Sequence, residues 1–192
     1  SPVDAFLSAK HKALGLKPQP RADKSLLLRR VHLNLTGLAP TQAELRSFLD
    51  DRSPDAYEKV VGALLKSRHY GERWGRHWMD VWRYSDWYGL GAQLRTSQKH
   101  MWHWRDWIID SLNDDKGYDR MVLEMIAGDE LDPKNPEVVA GTGYLARNYY
   151  LFNRTTWLDN TIEHTSKAFL AMTMNCAKCH DHKYDPLEHE DY

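Results

Sequence analysis

A chain of 192 residues with 42% hydrophobic side chains carries enough apolar material for one packed domain, which excludes a disordered tail or linker. Its 26 basic and 27 acidic residues leave a formal charge of −1 with no Lys/Arg run, so broad electrostatic attraction to nucleic acid or an anionic membrane is not expected. The longest apolar runs, SLLL and VVGALL, are far too short to cross a bilayer, so no transmembrane segment is expected.

In chain order, the dominant period is helical. The stretch ADKSLLLRRVHLNLTGL, 22–38, reads as a helix ending near Gly37 and Pro40. TQAEL follows with capping-box spacing, Thr41 to Glu44, and opens a short helix through Leu49. In SPDAYEKVVGALLKS, Ser53 is read as an N-cap with Pro54 at the first helical position, and Tyr57, Val60, Val61, Leu64 and Leu65 share one face. GERWGRHWMDVWRYSDW, 71–87, places Trp74, Trp78, Val81, Trp82 and Ser85 on one helical face, with His77 beside it. A glycine-containing loop, 88–100, leads to MWHWRDWIIDSLND, where Trp104, Trp107, Ile108 and Leu112 share a side. YDRMVLEMIAGDEL is a further amphipathic helix, and DPKNPEVVAGTGYLARN is more irregular because prolines interrupt its start. The last helix is read as WLDNTIEHTSKAFLAMTMNCAKC, its stripe of Leu158, Ile162, Thr165, Phe169 and Met172 continuing to Cys176 and Cys179. With no sustained β alternation and no internal repeat, residues 1–192 read as a single all-α domain. The start at Ser1 without Met and the stop at EHEDY are read as the ends of a piece of a longer protein.

Eight tryptophans are many for this length, and seven lie between Trp74 and Trp107. Such rings build a core, or they wall a flat apolar ligand. The two cysteines decide which ligand to ask about. They stand three apart in Cys176-Ala177-Lys178-Cys179-His180. Random placement gives that spacing roughly once in a hundred, with a histidine next to it about once in twenty, so chance is a poor explanation.

Covalent haem c needs two thiols that add across the porphyrin vinyl groups, and a histidine beneath the ring. Residues i and i+3 on a helical turn send both sulfurs the same way. His180 is then the proximal iron ligand, its other ring nitrogen donating to a carbonyl. Structural zinc requires a fourth ligand and normally a second cysteine pair, which is missing. A thioredoxin-like pair belongs at a helix N-terminus after a strand, not behind a long helix. Nucleophile elbows, phosphate-binding glycine loops and the HExxH pattern are absent from the sequence.

Two segments carry a wider likeness. TGLAPTQAELRSFLDDRSPDAYEKVVGALLKSRHYGERWGRHWMDVWRYSD and AFLAMTMNCAKCHDHKYDPLEHEDY resemble the cytochrome-c-like domain family of large secreted planctomycete proteins, PSCyt2 (DUF1549). The resemblance implies an extracytoplasmic, haem-c-bearing module joined to further domains, without a known reaction.

For the second axial position, His77 comes first because it borders the tryptophan face. His103, Met79 and Met101 follow, then His32 and His69. His182, Met172 and Met174 are set aside as lying on the proximal side. His164 is set aside because twelve residues of continuous helix would put it roughly 18 Å from Cys176. An open sixth position is the other possibility. Arg76, Arg83, Arg147 and Arg154 have the charge to pair haem propionates. The segment Asp181 to Pro186 is read as a cap that braces His180 through Asp181 or Asp185.

The expectation is therefore a mono-haem c-type domain, periplasmic or secreted, with one covalent haem on Cys176, Cys179 and His180. It passes single electrons to a redox partner protein or a neighbouring domain of the same polypeptide. Two alternatives stand beside it: a haem-dependent oxidoreductase with an open axial site acting on a small molecule or sugar, and a haem-free helical interaction or zinc-binding module.

Overall fold

The computed structural model describes residues 2–86 and 99–192. Trp87 and most of the predicted 88–100 loop lie outside the described residues. Among them all regular structure is helical, as the sequence pattern requires, and no helix is long and apolar enough to cross a membrane. The chain packs as two compact units.

The first unit comprises Ser1–Asn34 with Leu38–Val61. Its opening helix α1, Pro2–Ala13, buries no residue, and the sequence reading had no core-facing stripe by which to find it. Helix α2, Lys24–Leu35, begins with the Asp23 carboxylate accepting from Leu26 N at 2.8 Å and ends before Gly37, whose φ of 71° favours glycine. Helix α3, Gln42–Asp50, has the expected capping box. Thr41 Oγ1 accepts from Glu44 N at 3.3 Å, and Glu44 Oε2 accepts from Thr41 N at 2.6 Å. Leu28, Phe48 and Ala56 form the small core, with Leu45, Tyr57 and Val60 packed on it.

One boundary differs from expectation. Helix α4 is Ala56–Leu65, so neither Ser53 nor Pro54 stands at its start. Asp51 Oδ1 accepts from Ser53 N at 2.8 Å, and Ser53 Oγ accepts from Lys59 Nζ at 2.9 Å. An aspartate turn thus uses the residues that resembled a cap.

The second unit comprises Leu35–Gly37 with Gly62–Tyr192. Helix α5, Arg68–Val81, packs on α6, Trp102–Asn113, through Gly71. A Cβ there would overlap Ile109 O, and instead Gly71 N donates to Asn113 Oδ1 at 2.8 Å. Helix α7, Tyr118–Leu131, kinks at Ala127 and meets the short α8, Pro136–Ala140, and α9, Gly143–Ala146. Helix α10, Arg154–Phe169, completes the set. The core is Trp82, Met101, Trp104, Trp107, Ile108, Met121, Met125 and Tyr144. The tryptophan cluster is thus mostly interior material; Trp78 stacks on Trp82 at 5.0 Å, while Trp102 is exposed.

Buried Glu124 anchors this unit. It accepts from Trp107 Nε1 at 3.1 Å, Lys116 Nζ at 2.7 Å and Arg120 Nε at 2.8 Å. Burial pushes its carboxyl up, but the hydrogen bonds from Lys116 and Arg120 outweigh burial and hold it below the usual range.

The stripe expected to run to Ser85 is cut short. Helix α5 ends at Val81 with Trp82 as its cap; Tyr84 N donates to Met79 O at 2.8 Å and Arg83 N to Asp80 O at 3.4 Å. That pairing is a Schellman end, whose left-handed position normally holds glycine. Here it holds Arg83 at φ 60°. Left-handed backbone costs a non-glycine residue about 1–2 kcal/mol, and a cation at a helix C-terminus recovers only about 0.3–1 kcal/mol.

Two glycines separate helix propensity from packing. Gly62, mid-α4, has nothing within 4 Å of an added Cβ, so Gly62→Ala is expected to stabilise by about 0.5–1 kcal/mol. Gly71→Ala forces α5 from α6 and is expected to lose about 1–3 kcal/mol. Urea unfolding of the two variants gives both signs.

Candidate functional site

Helix α10 begins under the Asn153 side chain, which accepts from Thr156 N at 3.1 Å. It does not run to Cys179 as its stripe suggested. It ends at Phe169; Leu170 caps it and Ala171 turns left-handed at φ 53°. No glycine or proline marks that stop, and the apolar spacing simply continues across it. Met172 N then donates to Ser166 O at 3.1 Å, and the chain returns along the helix. Glu163 accepts a hydrogen bond from Asn175, and Lys178 Nζ meets Asp159 Oδ2 at 2.5 Å. Glu163 and Asp159 are one helical turn apart, so the returning segment runs antiparallel to α10. Tyr192 Oη donates to Asp159 Oδ1 at 3.1 Å and holds the chain end there too. The Lys178 hydrogen bond lowers the Asp159 carboxyl, and Asp159 raises the Lys178 ammonium in turn.

The cysteines therefore sit on a separate turn. Ala177 N donates to Met174 O at 2.9 Å, Cys179 N to Cys176 O at 3.2 Å, and His180 N to Cys176 O at 3.3 Å. One turn of helix-like bonding keeps positions i and i+3 on the same side, although the long helix has stopped. Both thiols are free and exposed. Ala177 between them is fully buried, with Met174 and Leu187 as further apolar anchors.

Two histidines fix this turn from outside. His180 Nδ1 meets Asp181 O at 2.7 Å, and a carbonyl only accepts, so Nδ1 holds the proton and Nε2 presents a bare lone pair. His189 Nδ1 likewise donates to Ala177 O at 2.8 Å, while His189 N donates to Asp181 Oδ1 at 2.8 Å. His182 is used differently. Its Nδ1 accepts from Asp185 N at 2.9 Å, and its main-chain N donates to Leu187 O at 2.7 Å. Asp181 thus braces His180 through its carbonyl and clamps His189 through its carboxylate. His189 carried no signal in the sequence beyond its residue type.

The other candidates are dispersed. His77 is exposed on α5, and among the described residues it makes a ring contact with Trp74 at 5.5 Å. His103 is exposed and stacked on Trp102 at 3.6 Å; Met101 is in the core and Met79 packs against it. His69 pairs with Glu72 at 2.6 Å, and His32 is buried on α2 in the first unit. Arg76 and Arg154 are exposed, whereas Arg147 Nε reaches Arg83 O at 3.0 Å.

His164 needs re-placing. The distance that set it aside assumed a continuous helix, and the reversal at Ala171 removes that assumption. The residue lies next to Glu163, which bonds Asn175 immediately before Cys176. Its imidazole is half-buried and makes no hydrogen bond among the described residues. Burial lowers its pKa to about 4, and the Arg83 guanidinium adds to the effect. The folded state therefore resists a proton that the unfolded chain accepts near 6.5. Between those values the unfolded chain binds more protons, so stability rises as pH increases from about 4 to 6.5. The melting temperature is expected to fall on acidification through that window, with a shallower fall in His164→Asn, measured by thermal denaturation in a pH series.

Among the described residues no group of three or more His, Cys, Asp or Glu side chains is arranged to hold a metal ion. The turn carries two exposed thiols, with the His180 imidazole next to Cys179 in sequence. No curated protein and no solved structure matches the chain. From residue 2 to residue 192 it matches PSCyt2, described as a protein of unknown function (DUF1549), and the chain belongs to that family.

Proposed function

We propose that the chain carries one covalent haem c on Cys176 and Cys179, with His180 as proximal iron ligand, and passes single electrons to a redox partner or a neighbouring domain. The observation that carries this reading is the His180 ring, whose Nδ1 is tied to Asp181 O at 2.7 Å so that Nε2 is left bare. An iron ligand needs that tautomer, and a hydrogen bond at the far nitrogen orients the ring and raises its basicity. The two thiols support it further, because both are exposed and neither is spent in a disulfide. Each thiol adds across one vinyl group, sulfur to one carbon and hydrogen to the other, so attachment consumes no oxidant. His189 and Asp181 hold the turn in shape, so little backbone ordering remains for attachment. When bound, the haem supplies a one-electron couple.

Leu158 on α10, Leu170 at its cap and Tyr184 beyond the motif are exposed apolar side chains. An apolar macrocycle would cover such surface. Covalent haem attachment takes place outside the cytoplasm, so the same reading makes the working protein periplasmic or secreted.

The test is production with haem-attachment machinery, followed by intact mass after acid–acetone extraction and by oxidised and reduced absorption spectra. One added haem mass is expected, lost in the Cys176→Ala, Cys179→Ala double variant without change in helical circular dichroism. Sharp low-spin bands support the electron carrier. A high-spin spectrum with rapid carbon monoxide binding turns the reading to an oxidoreductase with an open axial site. Colourless protein at the bare chain mass overturns both and sends the question to zinc analysis.

A further inference from the structure

Helix α6 carries acids at a constant spacing along one side. Asp106, Asp110 and Asp114 stand four residues apart, so successive carboxylates are neighbours on one face and repel. All three line a cavity of about 460 Å³ to which α8 contributes Glu137. Asp110 and Asp114 also lie at the C-terminal end of α6, where unpaired carbonyls already concentrate negative charge. Burial pushes the Asp110 carboxyl above its ordinary value, Asp106, Asp114 and Glu137 add to that, and Arg68 opposes it. The neighbouring cations are engaged elsewhere. Arg105 holds Asp106 at 2.9 Å, Arg68 holds Glu72 at 3.1 Å, and Lys116, itself in the lining, holds Glu124 at 2.7 Å. His103, also in the lining, stacks on Trp102 at 3.6 Å. Among the described residues the carboxylates of Asp110, Asp114 and Glu137 have no hydrogen bond or ion pair.

An unused hydroxyl gives a second, independent sign. Ser111 lines the same cavity and is 2% exposed, and its Oγ has no hydrogen-bond partner among the described residues. A helical serine can satisfy itself on its own backbone, as buried Ser166 does by donating to Ile162 O at 2.9 Å. Ser111 leaves that bond unmade, and a buried unpaired hydroxyl destabilises the fold until a partner arrives. Trp107 belongs to the lining as well, and its ring already faces one ammonium, Lys116 Nζ, at 5.2 Å.

We propose that this cavity between α6 and α8 binds an organic cation with two or more ammonium groups. Asp110, Asp114 and Glu137 supply the counter-charge, and Ser111 Oγ accepts a hydrogen bond. Spacing decides the kind of cation. Among the described residues no three His, Cys, Asp or Glu groups converge to hold a metal ion, so the carboxylates suit separate ammonium groups on one molecule. Three carboxylates without partners also exceed what a single ammonium neutralises. A volume of about 460 Å³ admits a diamine or a short polyamine chain. The site uses no residue of the cysteine turn and does not rest on the haem reading.

The full chain, labelled with ¹⁵N, is titrated with putrescine and with spermidine at about 100 mM sodium chloride, where longer-range attraction is screened. Calorimetry and the Trp107 indole N–H signal report binding. Saturable binding at one site, with a shift of the Trp107 signal, is expected. Asp110→Asn with Asp114→Asn should weaken binding about tenfold while melting at the same temperature or higher, because a repelling pair at a helix C-terminus is removed. Ser111→Ala should weaken it about fivefold with unchanged helical circular dichroism. Asp129→Asn with Glu130→Gln removes the same charge from exposed positions on α7 and should leave binding intact. Equal weakening in that control identifies diffuse attraction and overturns the site, as does the absence of saturable binding. Displacement of putrescine by magnesium chloride at equal ionic strength overturns the organic cation in favour of a hydrated metal ion.

Discussion

The left-handed turn at Ala171 sends the chain back along α10, and everything chemical in the C-terminal part depends on that reversal. Lys178 to Asp159 and Asn175 to Glu163 then fix the register of the returning segment. Neither contact is a large source of stability, since solvent screens exposed polar contacts. They choose one position from many. The apolar anchors Met174, Ala177 and Leu187 hold the segment down once that position is chosen. The cysteine turn is therefore a docked loop on a helix rather than the end of a helix, and its thiols face outward.

That placement separates scaffold from chemistry. Trp82, Trp104 and Trp107 fill the interior between α5, α6 and α7, and Trp107 also donates to buried Glu124. Rings used this way serve the core first, although Trp107 also lines a cavity of about 460 Å³ and Trp104 one of about 300 Å³. Under the haem reading, the group lies toward solvent on the cysteine turn rather than inside a tryptophan cavity. An exposed edge suits exchange of electrons with another protein, because the partner's approach and not a substrate channel sets the distance. The rigid core supplies a stable platform, and the docked loop keeps its reactive groups accessible.

What the sequence revealed, and what it hid, follows the range of each physical signal. The Thr41–Glu44 capping box was readable because both of its hydrogen bonds are local. Ser53-Pro54 carried the same local signature, but Asp51 formed a competing turn and the helix began at Ala56. Helix α1 escaped notice because none of its residues is buried, which leaves no stripe to read. The cysteine spacing was read on a long helix that in fact stops at Phe169. Its i, i+3 geometry needs one turn, and the structure provides one turn without the long helix. The argument against His164 did not survive, because it used the whole helix as a ruler. A left-handed alanine leaves no mark in composition, so the stop at Leu170 could be seen only in the fold. Arg83 was hidden for the same reason: its residue type suggested charge, while its significance lies in its backbone conformation.

The motif His180-Asp181-His182 shows how main-chain geometry assigns chemistry to side chains of one type. A carbonyl faces His180 Nδ1, and an amide N–H faces His182 Nδ1. In the neutral ring the carbonyl requires a protonated His180 Nδ1, whereas His182 Nδ1 lies 2.9 Å from Asp185 N and 3.3 Å from Asp185 Oδ2, so only the first contact fixes a tautomer. Asp185 closes the loop around His182 with both its amide and its carboxylate. His180 has its Nδ1 engaged by Asp181 O and follows the two free cysteines directly in sequence. The distinction needs no difference in residue type. It comes from Asp181 offering a carbonyl oxygen to one ring and Asp185 closing around the other, an arrangement that suits His180 as the ligand of the proposed haem and His182 as a brace.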